Sequence, residues 1–108
     1  MGNTNRLKWE TLRSIDSATF TGSYQALGTP LAKNSYICKL VNNSSVLVTI
    51  SVDGTNDIDV SPANSYWLYD EGKVGISGDF PSLPAGTQFY VKGSAGTGLV
   101  YLVTQYIV

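Results

Sequence analysis

An antiparallel all-β sandwich, of jelly-roll or immunoglobulin-like type with roughly seven or eight short strands, is the fold that this sequence predicts. Three observations point to it. Apolar residues never keep a helical spacing for three turns, because eleven glycines and many Thr, Ser and Asn interrupt every window. Short alternating apolar runs recur instead, about ten residues apart. Glycine or asparagine stands between most of these runs, and both tolerate the backbone angles that turns require.

The elements follow in order. LKWETLRSI and ATFTGSYQALG read as strands, with a short helix within Leu7–Ile15 as the alternative for the first. SYICKLV, residues 35–41, is a strand in which Cys38 alternates with Tyr36 and Leu40, the position of a small buried apolar residue rather than of a nucleophile. NNSS, residues 42–45, reads as a turn, and VLVTISVD, residues 46–53, as the clearest strand, with Val46, Val48, Ile50 and Val52 on one face. The two runs and their turn form a predicted hairpin.

Asp53-Gly54 closes that strand, since glycine gives the backbone freedom for a tight reversal. Ser61-Pro62-Ala63-Asn64 is a turn signal, and SYWLYD, residues 65–70, is a strand because of its four large residues in a row. Alternation places Trp67 and Tyr69 on one face, Tyr66 and Leu68 on the other. Residues 71–86, rich in glycine and proline, are a loop with at most one short edge strand. QFYVKG and GLVYLVTQYIV flank GSAGTG and read as a second hairpin. In the final run both Leu99/Tyr101/Val103/Ile107 and Val100/Leu102/Tyr106/Val108 are largely apolar faces. Either a central strand covered on both sides or a strand partly covered by another subunit explains that.

The totals bound the function. A chain of 108 residues supports one modest core, assigned to residues 14–108 and preceded by an arm or edge segment at 1–13. A net charge of −1 supplies no long-range field for phosphates or anionic lipids, so neither nucleic acid nor membrane is an expected partner. Only 14% of residues are charged, against about a quarter in typical domains, which leaves a neutral polar surface that either contacts neighbours or is solubilised by Ser, Thr and Asn alone. There is no histidine and a single cysteine, which removes Ser-His-Asp and Cys-His catalysis, intramolecular disulfides and thiolate metal cages. The opening MGNTNRLKWETLRSI holds no apolar run of signal-peptide length, so export by that route is not expected.

SVDGTNDID, residues 51–59, gathers three aspartates and raises the question of a calcium or acid/base site. An EF-hand loop counted from Asp53 would need acidic or polar ligands and a glycine where Ile58 stands in sixth place, and Glu where Asn64 stands in twelfth. The spacing fails, leaving Asp53, Asp57 and Asp59 as weak candidates for a noncanonical ion site. A small-molecule ligand and a cofactor are not expected. GSAGTG lacks a P-loop ending, and Tyr101 occupies the place of the third glycine in a dinucleotide fingerprint.

The order of the NNS turn, VTISVDG, SPANSYWLYD and GTQFYVKGSAGTG, spanning Ser14 to Tyr106, resembles small structural proteins of tailed bacteriophages. The resemblance implies a nonenzymatic virion component, made in the host cytoplasm, that oligomerises and attaches to the particle as a capsid decoration, cement, neck or tail protein. Its expected partners are copies of itself and other virion proteins, with Trp67, Tyr69, Tyr101, Tyr106 and Val108 as interface candidates. The alternative is a carbohydrate-binding β-sandwich module with Trp67 and the neighbouring tyrosines as its platform.

Overall fold

The computed structural model describes residues 7–70 and 84–107. They form strands β1 (Leu7–Trp9), β2 (Arg13–Asp16), β3 (Gln25–Ala26), β4 (Ser35–Ser44), β5 (Val48–Ser51), β6 (Asp59–Ser61), β7 (Ser65–Asp70), β8 (Tyr90–Lys92) and β9 (Gly98–Ile107). A 3-10 turn at Ser17–Thr19 follows β2, capped by the Asp16 carboxylate accepting from the Ala18 N–H. All pairing is antiparallel, as an all-β sandwich requires. One sheet runs β7-β4-β9, with β1 and β2 sharing the far edge of β9; the other runs β3-β8-β5-β6.

The core lies between the sheets. Cys38 and Leu40 of β4 and Val100 and Leu102 of β9 meet Val48 and Ile50 of β5 and Val91 of β8, all at most 1% exposed. Phe20, Leu27, Leu31 and Phe89 close the ends from the connections. Each side chain of this size contributes about 1.5–3 kcal/mol on burial, so alternation along β4, β5 and β9 is the main force that fixes their register.

Both predicted hairpins are corrected. Residues 42–44 of NNSS continue β4 instead of turning, and the chain then crosses to the opposite sheet to start β5. Likewise β8 and β9, flanking GSAGTG, lie in different sheets. Each connection is an arch over the top of the sandwich. The physical reason is that β4 and β5 each bury a separate apolar row, and facing one another across the core covers both rows at once.

The arches support each other. Ser45 N–H donates to the Thr97 carbonyl at 2.9 Å, and Thr97 N–H donates to Ser45 Oγ at 3.0 Å. Ser17 Oγ donates to the Gly98 carbonyl at 2.8 Å. Gly98 has φ +99°, and a Cβ there would strike the Asn43 carbonyl oxygen.

The N-terminal segment read as strand or helix is two strands in one edge. Trp9 pairs with Gln105 and Arg13 with Leu102, so the chain spends one more residue than β9 between these points. That bulge changes face: Trp9 points outward with Gln105, whereas Arg13 points inward with Leu102. ATFTGSYQALG, expected as a strand, pairs only at Gln25–Ala26. β6 arises from Asp59–Ser61, where no strand was expected. The loop expectation for residues 71–83 lies outside the described residues.

Candidate functional site

The outward face of the larger sheet concentrates apolar side chains. Register builds it in rows: Tyr66–Val41–Tyr101–Ser14, then Leu68–Lys39–Val103, then Ile37–Gln105–Trp9, with Asn43–Leu99–Asp16 at the other end. Tyr66 is 67% exposed, Trp9 64% and Leu68 51%, while Val41, Tyr101, Val103 and Leu99 are half-buried. Among its described side chains only Lys39 and Asp16 carry charge. Four strands about 4.8 Å apart and four rows about 6.7 Å apart give roughly 500 Å² of face, in the size range of functional surface patches.

The opposite sheet presents a different outer face. Lys92 Nζ lies 3.2 Å from Asp57 Oδ1 and 4.5 Å from the centre of the Tyr24 ring, and the Tyr24 hydroxyl donates to the same carboxylate. Partial burial and the bond to Asp57 push the Tyr24 phenol up to about 12. The bonds from Tyr24 and Lys92 hold Asp57 below the usual carboxylate range. Val60, 48% exposed, stands on this face in the row with Thr49 and Lys92, so apolar and charged side chains share it.

The aspartates do not form one site. Asp53 Oδ1 accepts from Thr55 N–H and Asn56 N–H at 2.8 Å each and from Ser51 Oγ at 2.8 Å, while Asn56 Nδ2 donates to Oδ2 at 2.6 Å. These bonds hold Asp53 well below the usual range and make the carboxylate an internal brace of its own loop. Asp57 is drawn away to Lys92, and Asp59 sits in β6 opposite Ile50 with Oδ1 accepting from Val60 N–H. Among the described residues no three Cys, Asp or Glu converge as metal ligands, so the weak ion-site candidates are not brought together.

Beside the bulge lies a groove of about 660 Å³ between the β1–β2 edge and the 28–33 connection. An ion pair forms its floor: Arg13 Nη2 is 2.8 Å from Glu10 Oε1, and each side chain is 7% exposed. Arg13 also donates to the carbonyls of Thr29 at 2.7 Å and Pro30 at 3.0 Å, and Glu10 accepts from the Ala32 and Lys33 N–H groups at 3.1 Å each. Burial alone would raise the Glu10 pKa, but the bonds from Arg13, Ala32 and Lys33 and the guanidinium charge outweigh it and lower it. The pair ties the sheet edge to the connection.

The interface candidates divide. Tyr101 lies on the apolar outer face, whereas Tyr106 lines the groove, with Lys33 Nζ 6.0 Å from its ring centre. Register sets Trp67 opposite Leu40 and Tyr69 opposite Cys38. Val108 lies outside the described residues. Tyr66 and Leu68, the exposed residues of β7, were not among the candidates: SYWLYD is bulky on both faces, and alternation separates the faces without saying which turns inward. Cys38 is buried, and burial pushes its thiol up to about 12, so it is a packing residue as its alternation predicted.

Compared with family models, curated proteins and solved structures, the chain matches none.

Proposed function

We propose that the protein is a noncatalytic structural component of a tailed-phage particle that self-associates and attaches through the outer face of its larger sheet. The observation that carries the assembly part is the difference between the two faces: register gathers exposed Tyr66, Leu68 and Trp9 with half-buried Val41, Tyr101 and Val103 on one, while on the other exposed Val60 shares its row with Thr49 and Lys92, beside the charges closed on Tyr24, Asp57 and Lys92. The sequence resemblance from Ser14 to Tyr106 supports the virion part.

Magnitude decides what kind of association this is. A face of roughly 500 Å² is smaller than the about 800 Å² per partner of a standard stable interface. Single contacts are therefore weak, and the protein holds by repetition, as copies on a symmetric particle present many such contacts together.

Light scattering across concentration tests the first part, and protein identification in salt-washed phage particles from the producing lysate tests the second. The expected result is a mass that rises with concentration, retention in the particles, and loss of both in a Tyr66→Lys/Leu68→Lys variant that melts like the parent. A protein that stays monomeric at every concentration and is missing from washed particles overturns the proposal.

A further inference from the structure

We propose that the groove beside the β1–β2 bulge binds a carboxylated sugar. Its volume of about 660 Å³ falls within the range of small-ligand sites, about 300–1,000 Å³. Exposed Trp9, at the rim where the bulge changes face, and half-exposed Tyr106 line it, together with the hydroxyl residues Thr11 and Thr29. An aromatic plate beside hydroxyl groups matches a sugar, which offers an apolar ring face and a polar edge.

Charge selects the acidic member of that class. Arg13 and Glu10 neutralise each other in the floor, and their hydrogen bonds leave them committed to the protein. Lys33 remains on the wall, exposed and without an ion-pair partner among the described residues, beside the Tyr106 ring. Lys8, also exposed, stands opposite Tyr106 in the ladder. A carboxylate reaching Lys33 while its ring lies on Trp9 uses both features.

The backbone argues against an extended peptide. Strand addition needs an unbroken edge, and here the edge is interrupted between Trp9 and Arg13, where Glu10 N–H turns inward to the Thr104 carbonyl at 3.1 Å. Two exposed lysines are also too few for a nucleic-acid track. Trp9 borders both surfaces, but the assembly variant changes Tyr66 and Leu68 on β7, at the opposite edge of the sheet, while the sugar is read by saturable shifts at Trp9 and Lys33, so each proposal fails by its own experiment.

The experiment is an NMR titration of the nitrogen-15-labelled full chain with glucuronate, glucose, acetate and a short poly-glutamate peptide. Glucuronate is expected to shift the Trp9 indole N–H and the Lys33 amide saturably, with a dissociation constant on the order of 1 mM. Glucose should bind about tenfold more weakly, Lys33→Gln should remove that difference, and Trp9→Ala should abolish binding of both sugars. Melting temperatures close to the parent's confirm that both variants fold, as expected where Trp9 is 64% exposed. The proposal is overturned if glucuronate gives no saturable shift at Trp9, if acetate reproduces its shifts, or if poly-glutamate binds the groove more tightly than glucuronate.

Discussion

Asn42 shows how much one polar residue can organise. It is fully buried in β4, and Nδ2 faces the carbonyls of Val46 and Ser61 at 2.9 Å and of Pro62 at 3.0 Å. Its Oδ1 accepts from Ser44 N–H at 3.2 Å and from the Ser44 hydroxyl. The two N–H groups of one amide thus serve carbonyls of the β4–β5 connection, of the end of β6 and of Pro62 after it, tying β4 to both. Asn42→Asp turns the donor into an acceptor and aims an anion at carbonyl oxygens. A loss of about 3 kcal/mol or more is expected, read as a lower urea midpoint at unchanged slope. Asn prefers turns in general, and that preference hid Asn42: only its parity with Cys38 and Leu40 signals an inward position, and parity loses its meaning once a turn is assumed.

At the arches one local sequence pattern permits two different strand pairings. Strand identity is legible for 35–41, for 48–51 within the expected 46–53, and for 98–107, because β-branched and aromatic residues alternate there. Pairing is not, because a connection of a few polar residues suits an in-plane hairpin and a crossing between sheets alike. What decides is packing at the crossing, which involves residues distant in sequence: Gly98 under the Asn43 carbonyl, Ser45 against Thr97, and Ser17 against Gly98. Gly98→Ala adds a Cβ at a positive φ and against backbone, with no flexible side chain to yield. The expected cost is about 2–4 kcal/mol, seen as a lower melting temperature with an unchanged far-ultraviolet dichroism spectrum. Gly22, also at positive φ but with open space around it, should lose less on the same substitution. The edge bulge was equally hidden, since nothing in LKWETLRSI marks the residue at which the chain changes face.

Across the whole molecule, three carboxylates with lowered pKa values stitch connections to sheets: Glu10 through Arg13, Asp53 through its own loop, and Asp57 through Tyr24 and Lys92. A folded pKa below the unfolded one means that the stabilisation is complete above the ordinary values, 4.5 for Glu and 3.8 for Asp, and is lost as pH falls through the folded values. Tyr24 has the opposite sign. Its contribution is complete below 10.0 and lost as pH rises through about 12. The urea midpoint should therefore be level between about pH 5 and 9 and fall on the acid side. Glu10→Gln should lower the plateau and flatten part of the acid slope; a slope equal to the parent's would remove Glu10 from the account. Composition made the all-β class and the low charge legible at this scale, but the asymmetry of the two outer faces depends on which strands share a sheet.

The position of β9 has a consequence for biosynthesis. β9 is made after every other described strand, yet it lies inside the larger sheet, where β1, β2 and β4 all use its edges. Until residues 98–107 clear the ribosome, first β2 and β4 and then β1 have no ladder to join on that side. The smaller sheet is constrained less, because β5 and β6 are paired neighbours in sequence, although β3 waits for β8. Larger-sheet closure thus waits for β9, and until it is made the backbone edge of β4 that faces it stays open.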